Sequence, residues 1–247
     1  MSAITAAILV IGDEILSGRT KDKNIGYIAD YLARIGIDLR EVRIVPDVTA
    51  DIVDAVNALR RRYTYLFTTG GIGPTHDDIT ADAIAAAFGV GIDEDPRAIA
   101  MLLQRIKPED LNEARRRMAR IPFGADLVEN RVSTAPGFMM DNVIVMAGVP
   151  SIMQAMLDNV APKLRTGVKM LVETVEAGAV PEGRYAADLK AIAERHPDAS
   201  IGSYPSFTSG SFRNQIVVRS KDADVLARAV AEVRAMLGGL SAPANRA

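Results

Sequence analysis

The chain has 247 residues, 49% of them apolar and 24% charged, with no cysteine and a formal net charge of −2. That length suggests one large domain followed by a small one, with material for a sizeable core. The charge balance offers no hold on nucleic acid or an anionic membrane, and the lack of cysteine excludes a disulfide framework, a thiolate nucleophile and a cysteine-based zinc site.

Ile4 to Gly12 is apolar but too short to span a bilayer, and no basic leader precedes it, so a cytoplasmic protein is expected. Ala6 to Ile11 reads as a strand covered on both faces, ending in Gly12-Asp13-Glu14 with Gly18 soon after. Asp22 or Asn24 caps a helix that carries Ile25, Ile28, Ala29, Leu32 and Ile35 on one face and stops at Gly36. Ile37 to Val45 is a second strand, running into Pro46-Asp47, and Thr49 to Arg62 is a second helix. Tyr63 to Phe67, aromatic and β-branched, is the third strand.

The stretch Thr68-Thr69-Gly70-Gly71-Ile72-Gly73-Pro74-Thr75-His76-Asp77-Asp78-Ile79-Thr80 follows, before an alanine-rich helix that ends at Gly89. Glycines between a strand and a helix let backbone approach a ligand, and the helix start, with Thr80 as its N-cap, favours phosphate. A side chain at Gly71 would then fill ligand space. Asp77 and Asp78 would repel a bare phosphate, so they imply either a divalent cation or a base, or else they only cap the helix. No Walker lysine is present, and no third glycine completes a dinucleotide fingerprint. Alternating strands and helices imply a parallel sheet, and with the second and third strands on opposite sides of the first, Gly12-Asp13-Glu14 would face Gly70 to Asp78 across a switch point.

Val90 to Ile92 is a short strand, Asp95-Pro96 opens a helix, and Pro108 opens another that reaches Arg120. The runs Arg60 to Arg62 and Arg115 to Arg117 read as solvated helix faces rather than phosphate contacts. Phe138 to Met140 and Val143 to Met146 form a hairpin through Asp141-Asn142, and Pro150 starts a helix whose methionines fill core. Strands over Val168 to Val175, Ser200 to Tyr204 and Gln215 to Arg219, with helices over Glu182 to Arg195 and Ala223 to Leu237, make a small α+β module. It lacks a Gly-x-x-Gly loop and a basic face, and reads as structural or as a subunit contact. The expected fold class is α/β, a three-layer αβα domain over 1–165 with a mostly parallel sheet, then the α+β domain over 166–238 and a structureless tail over 239–247. No Ser-His-acid triad is visible.

The run from Thr69 to Thr80 resembles, without a gap, the glycine-rich signature of the molybdopterin-binding domain family in its competence/damage-inducible protein A branch. Gly12 to Gly18, Asp22 with Asn24, Pro46-Asp47, Ala135-Pro136-Gly137-Phe138, Gly148 to Met153 and Gly202 to Pro205 extend the likeness over nearly the whole chain. The resemblance implies a phosphorylated small molecule, molybdopterin-like or a nucleotide diphosphate, held by Gly12, Glu14, Ser17, Gly18, Asn24, Thr69, Gly70, Gly71, Gly73, Pro74, Thr75, Thr80, Gly148 and Pro150. It places catalytic aspartates at Asp47 and Asp78, and suggests a dimer or trimer. A divalent cation such as Mg²⁺ would sit on Glu14, Asp77 and Asp78. His76 either contacts phosphate or metal or is a loop histidine without a role. Molybdopterin adenylyltransferases carry a basic residue where this chain has Asp77, a departure that points away from adenylyl transfer; the resemblance to the damage-inducible branch implies instead hydrolysis of ADP-ribose and related dinucleotide pyrophosphates. The alternatives are a non-catalytic molybdopterin- or nucleotide-binding protein, molybdopterin adenylyl transfer in molybdenum cofactor biosynthesis, and an interaction scaffold with an empty crevice.

Overall fold

The computed structural model describes residues 3–208 and 211–241. Two compact units are present, Met1–Gly167 and Val168–Ala247. In the first, the elements run β1 (Thr5–Ile11), α1 (Asp13–Leu16), α2 (Asn24–Arg34), β2 (Asp38–Val45), α3 (Thr49–Arg62), β3 (Tyr65–Thr69), α4 (Thr80–Phe88), β4 (Ile92–Glu94), α5 (Pro96–Leu102), α6 (Glu113–Arg117), β5 (Arg120–Pro122), β6 (Asp126–Val128), β7 (Gly137–Met140), β8 (Val143–Met146) and α7 (Pro150–Val160). Six strands form one sheet in the order β2-β1-β3-β8-β7-β6, in which β2, β1, β3 and β8 are parallel and β7 runs antiparallel to both its neighbours. β4 and β5 pair separately.

Because successive strand residues point to opposite faces, β1 feeds two cores. Ala7, Leu9 and Ile11 pack with Ile52, Val56 and Leu59 of α3 and Ala83, Ile84 and Ala87 of α4. Ala6, Ile8 and Val10 pack with Ile28 and Leu32 of α2 and Met153, Met156 and Leu157 of α7. Each large apolar side chain so buried is worth about 1.5–3 kcal/mol. The result is the expected three-layer αβα arrangement, and the methionines of α7 fill core. β2 and β3 flank β1 on opposite sides, so a switch point opens between β1 and β3.

Local chemistry explains where the elements start and stop. Asp22 Oδ1 accepts the N–H groups of Asn24 and Ile25 and so caps α2. Gly89, at φ 67°, ends α4 in the left-handed region. The turn between β7 and β8 is braced by Asn142, whose amide donates to the carbonyls of Arg60 and Tyr63. Several expectations change, the short strand expected over Val90 to Ile92 among them, since β4 starts only at Ile92. The helix expected from Pro108 to Arg120 is instead a 3-10 turn over Pro108–Asp110, then α6 capped by Asn112 Oδ1 on the Arg115 N–H, then β5. The third strand lies two residues later than expected, because Tyr63 leaves the sheet to donate its hydroxyl to Glu41 at 2.6 Å. The arginine runs are not bare: Arg60 lies 4.0 Å over the Phe88 ring and donates to the Ala87 carbonyl, Arg115 donates to the Asp110 carbonyl, and Arg116 pairs with Glu94 at 2.8 Å.

The second unit holds β9 (Leu171–Gly178), α8 (Ala186–Arg195), β10 (Ala199–Thr208), β11 (Ser211–Ser220) and α9 (Ala223–Ser241), with an antiparallel sheet ordered β10-β11-β9. Val175, Ala177, Ile216 and Val218 pack against Ile192 of α8 and Ala229, Val230 and Val233 of α9. Its first strand starts at Leu171 rather than Val168, and its last helix continues to Ser241, past the expected start of the tail. The tail from residue 242 lies outside the described residues. Among the described residues no helix is long and apolar enough to cross a membrane.

Candidate functional site

The carboxyl ends of β1, β2, β3 and β8 converge at the switch point. After β1, the Gly12 N–H donates to the Val45 carbonyl at 3.2 Å, and the short α1 turns Asp13 and Glu14 outward. After β2, Asp47 Oδ2 accepts the Asp13 N–H at 2.9 Å. Burial pushes the Asp47 carboxyl above its ordinary range, and the negative charges of Asp13, Glu14 and Asp77 push in the same direction against the Asp13 N–H bond. Three carboxylates from two other loops therefore act on Asp47, which is the most withdrawn from water of the four.

After β3, the glycines close the loop on itself. At Gly70 (φ 104°) a Cβ would stand 2.1 Å from the Ile11 carbonyl oxygen, and at Gly71 (φ 66°) it would stand 2.2 Å from Thr80 Oγ1. At Gly73 a Cβ would meet Asp78 Oδ2 at 2.6 Å. Gly71 and Gly73 thus admit the loop's own atoms, and Gly70 admits the Ile11 carbonyl at the end of β1. Thr80 does not cap α4. Its buried hydroxyl donates to the Gly70 carbonyl at 2.9 Å, and its N–H to the Gly71 carbonyl at 3.0 Å. Asp78 Oδ2 accepts both the N–H of Thr75, at 2.8 Å, and its hydroxyl. Arg117 of α6 donates twice to the Asp78 carbonyl, at 3.2 and 3.1 Å. Arg117 went unseen in the sequence because it lies in a run that reads as a solvated face.

The expected phosphate seat at the start of α4 is closed. Between Gly71, Gly73, Arg117 and Phe138 only about 10 Å³ remains, room for a single water. Space opens instead beside β1 and α2, where about 220 Å³ is lined by Glu14, Asn24, Thr69, Gly70, Gly148 and Pro150, with Lys21 and Lys23 also on its wall. Six of the expected ligand residues therefore meet at this cavity, while Gly12, Ser17, Gly18, Gly71, Gly73, Pro74, Thr75 and Thr80 do not line it. Asn24, buried, donates its amide to the Gly148 carbonyl at 2.8 Å and so joins α2 to the loop after β8. Lys21 and Lys23 carry no hydrophobic pattern that would have singled them out.

Among the described residues no three His, Asp or Glu gather in a metal-holding cluster. Glu14, Asp77 and Asp78 are not a ready cage, and one Asp78 oxygen, Oδ2, already accepts both donors of Thr75. His76 is 99% exposed and lies 4.0 Å from Asp77. Mg²⁺ characteristically takes one or two carboxylates together with substrate phosphates and water.

The chain matches the family described as "Probable molybdopterin binding domain" over residues 7–166 and "FAD synthase, middle domain" over residues 169–244. A solved structure of the protein CinA from Thermoplasma acidophilum is 33% identical, with 65% of this chain and 98% of that one covered at a TM-score of 0.62. A protein of Aeropyrum pernix is 34% identical over 234 residues, 91% of this chain and 85% of its own length. A "Probable FAD synthase" of Caenorhabditis elegans is 28% identical over 95% of this chain, which spans 50% of that relative. The ungapped Thr69 to Thr80 signature, the β2-β1-β3 switch point and these matches agree: the chain belongs to the molybdopterin-binding domain family, in its CinA-like branch, with a FAD synthase middle domain following.

Proposed function

We propose that the first unit binds a dinucleotide pyrophosphate of the ADP-ribose or FAD kind and hydrolyses it with a divalent cation. The observation that carries this is the Asp47 carboxylate, raised in proton affinity among Asp13, Glu14 and Asp77 at the carboxyl ends of the parallel strands, with Glu14 also lining a cavity of about 220 Å³. A carboxylate so placed is a better base than an ordinary one, and the surrounding negative charge calls for a cation. In the proposed reaction a water oxygen attacks one phosphorus, its proton passes to Asp47, and the bridging P–O bond breaks with its electron pair leaving on the second phosphate. A bound Mg²⁺ would supply charge neutralisation for the two phosphates, held by Asp77 and Glu14. Asp78, Thr75 and Arg117 keep the loop that carries Asp77 in place. The similarity to a FAD synthase supports a flavin dinucleotide among the candidates.

Incubating the protein with ADP-ribose or FAD, with Mg²⁺ or with a chelator, tests this. The expected outcome is a pair of monophosphates, AMP being one, formed only with Mg²⁺. Binding without turnover would select the second reading, a non-catalytic pterin- or nucleotide-binding protein, which is favoured by the lack of a ready metal cluster among the described residues.

A further inference from the structure

The two edges of the six-stranded sheet differ in how much they leave open. β6, at one end, has three residues, and an edge that short offers little to pair with. β2, at the other end, has eight residues with no proline among them, and carries Val42 and Ile44, each 39% exposed. The Gly12 N–H donates to the Val45 carbonyl on the β1 side. By alternation, Val42 and Ile44 turn their own N–H and C=O groups to the open edge. The stretch free to pair is bounded at both ends. The Asp38 N–H is taken by the Ile4 carbonyl at 2.8 Å, a bulge leaves Arg40 without a β1 partner, and Pro46 has no N–H to give. Val42 lies midway between Asp38 and Pro46.

Charge decides what fits there. Glu41 and Arg43 flank Val42 on one face of the strand, and Val42 and Ile44 stand on the other. An antiparallel second copy of β2, centred on Val42, sets Glu41 opposite Arg43 twice over. On the other face Val42 meets Val42 at the axis, and Ile44 meets the aliphatic stem of Arg40. Pro46 then lies opposite Asp38, so the two residues without an outward N–H face each other. Other registers fail. Centring on Arg40, Glu41 or Arg43 sets that residue against its own like charge, and centring on Ile44 sets Glu41 against Asp47. Glu41 and Arg43 pair within one strand at 2.6 Å, and the Val42 register keeps both charges paired.

We propose that β2 is a homodimer interface, at which two copies of this chain pair their β2 strands antiparallel about Val42 and join their sheets into one. The two-fold axis uses up the edge on both copies, so this surface closes a dimer and builds no trimer. The interface is independent of which ligand the first unit binds.

The chain has no cysteine, so single-cysteine variants of the full chain report the contact without background. A contact of this size belongs to the weak class, and the proteins are therefore oxidised with glutathione disulfide at high concentration and separated without reductant. Val42→Cys should become a covalent dimer, since Cα atoms paired at the axis lie about 5.5 Å apart, within disulfide reach. Arg40→Cys, exposed on the same strand, would lie about 13 Å from its own copy and should stay monomeric. An equal mixture of Arg40→Cys and Ile44→Cys should cross-link one to the other. Adding Arg43→Glu to Val42→Cys should slow cross-linking about fivefold, as two attractive pairs become repulsive. Adding Glu41→Arg as well should restore the rate, with melting temperature showing that each variant is folded. Val42→Cys that links no faster than Arg40→Cys overturns the proposal, as does a folded charge-reversal variant with an unchanged rate. Should that variant not fold, the Arg40→Cys and Ile44→Cys mixture decides, and its failure to cross-link overturns the register and the interface together.

Discussion

Thr80 donates its hydroxyl to the Gly70 carbonyl at 2.9 Å from inside the first turn of α4, so the helix that follows the glycine loop also ties the loop's beginning to its end. The space that this hydroxyl occupies is the space that a Cβ on Gly71 would need, 2.2 Å away. One threonine and one glycine are therefore a matched pair, and the loop's shape is a packing problem before it is a ligand problem.

Gly71→Ala should destabilise by about 1–3 kcal/mol, from a left-handed φ together with the collision at Thr80. Thr80→Ala should cost about 1–3 kcal/mol through the buried hydrogen bond. The double variant should lose less than the sum, because removing Oγ1 makes room for the new methyl. Urea denaturation of all four proteins measures this. Strict additivity would show that the two positions do not share the space.

Asp47 makes a second prediction, in pH. Its folded carboxyl binds a proton more tightly than an ordinary aspartate because it is half-buried among Asp13, Glu14 and Asp77. For such a group the relative stability is present below the unfolded aspartate range and is lost as pH rises through the raised folded value. Asp47→Asn keeps an oxygen for the Asp13 N–H and removes the charge. The variant should melt higher than wild type at pH 7, and the two should converge at acidic pH. A variant equal to wild type throughout would mean that the neighbouring charges are fully screened.

The sequence made the sheet legible where one residue property decided the structure. Continuous apolar runs at Ala6 to Ile11 could only be doubly covered strands, and the periodic Ile52, Val56 and Leu59 placed α3 to the residue. Short elements escaped because they carry no period: α1 has four residues and β5 and β6 have three each. At the site, acidic and glycine residues marked the right loops, yet their roles depended on contacts made across the fold. Gly71 meets Thr80, Asp78 meets Thr75, and Arg117 arrives from 39 positions away. No pattern within the Thr69 to Thr80 run separates Asp77, which acts on Asp47, from Asp78, which turns inward.

Arg117 should matter through the loop and not through direct contact with a ligand. Its guanidinium donates twice to the Asp78 carbonyl, and lies 3.8 Å from the Asp82 carboxylate, which Arg120 also holds at 2.7 Å. Arg117→Met keeps much of the apolar stem and removes the donors. Amide hydrogen exchange should accelerate at Asp78 and Thr80, while amides of β1 stay protected, since local opening is controlled by local bonds. Unchanged exchange in the loop would mean that Thr75 and Thr80 suffice to hold it.

The last prediction separates the two aspartates on which the catalytic proposal turns. Asp47 is withdrawn from water, raised in proton affinity and adjacent to three other carboxylates, whereas Asp78 Oδ2 is occupied by both donors of Thr75. If Asp47 takes the proton of the attacking water, Asp47→Asn should lower turnover of ADP-ribose or FAD by about a hundredfold or more, the usual loss on removing a positioned base. Asp78→Asn leaves an oxygen able to accept from Thr75, so the loop should persist and turnover should fall by less than about tenfold. The pH profile adds a check that folding alone would not move. The acidic limb of kcat/KM in the wild type reports ionisation of the base in the free enzyme, and it should lie above the ordinary aspartate range and vanish in Asp47→Asn. If instead Asp78→Asn abolishes turnover while Asp47→Asn retains it, the base is Asp78 and the Thr75 hydroxyl must release it when substrate binds. If both variants keep wild-type turnover, neither aspartate does chemistry, and the carboxylates at the switch point serve only to hold a ligand.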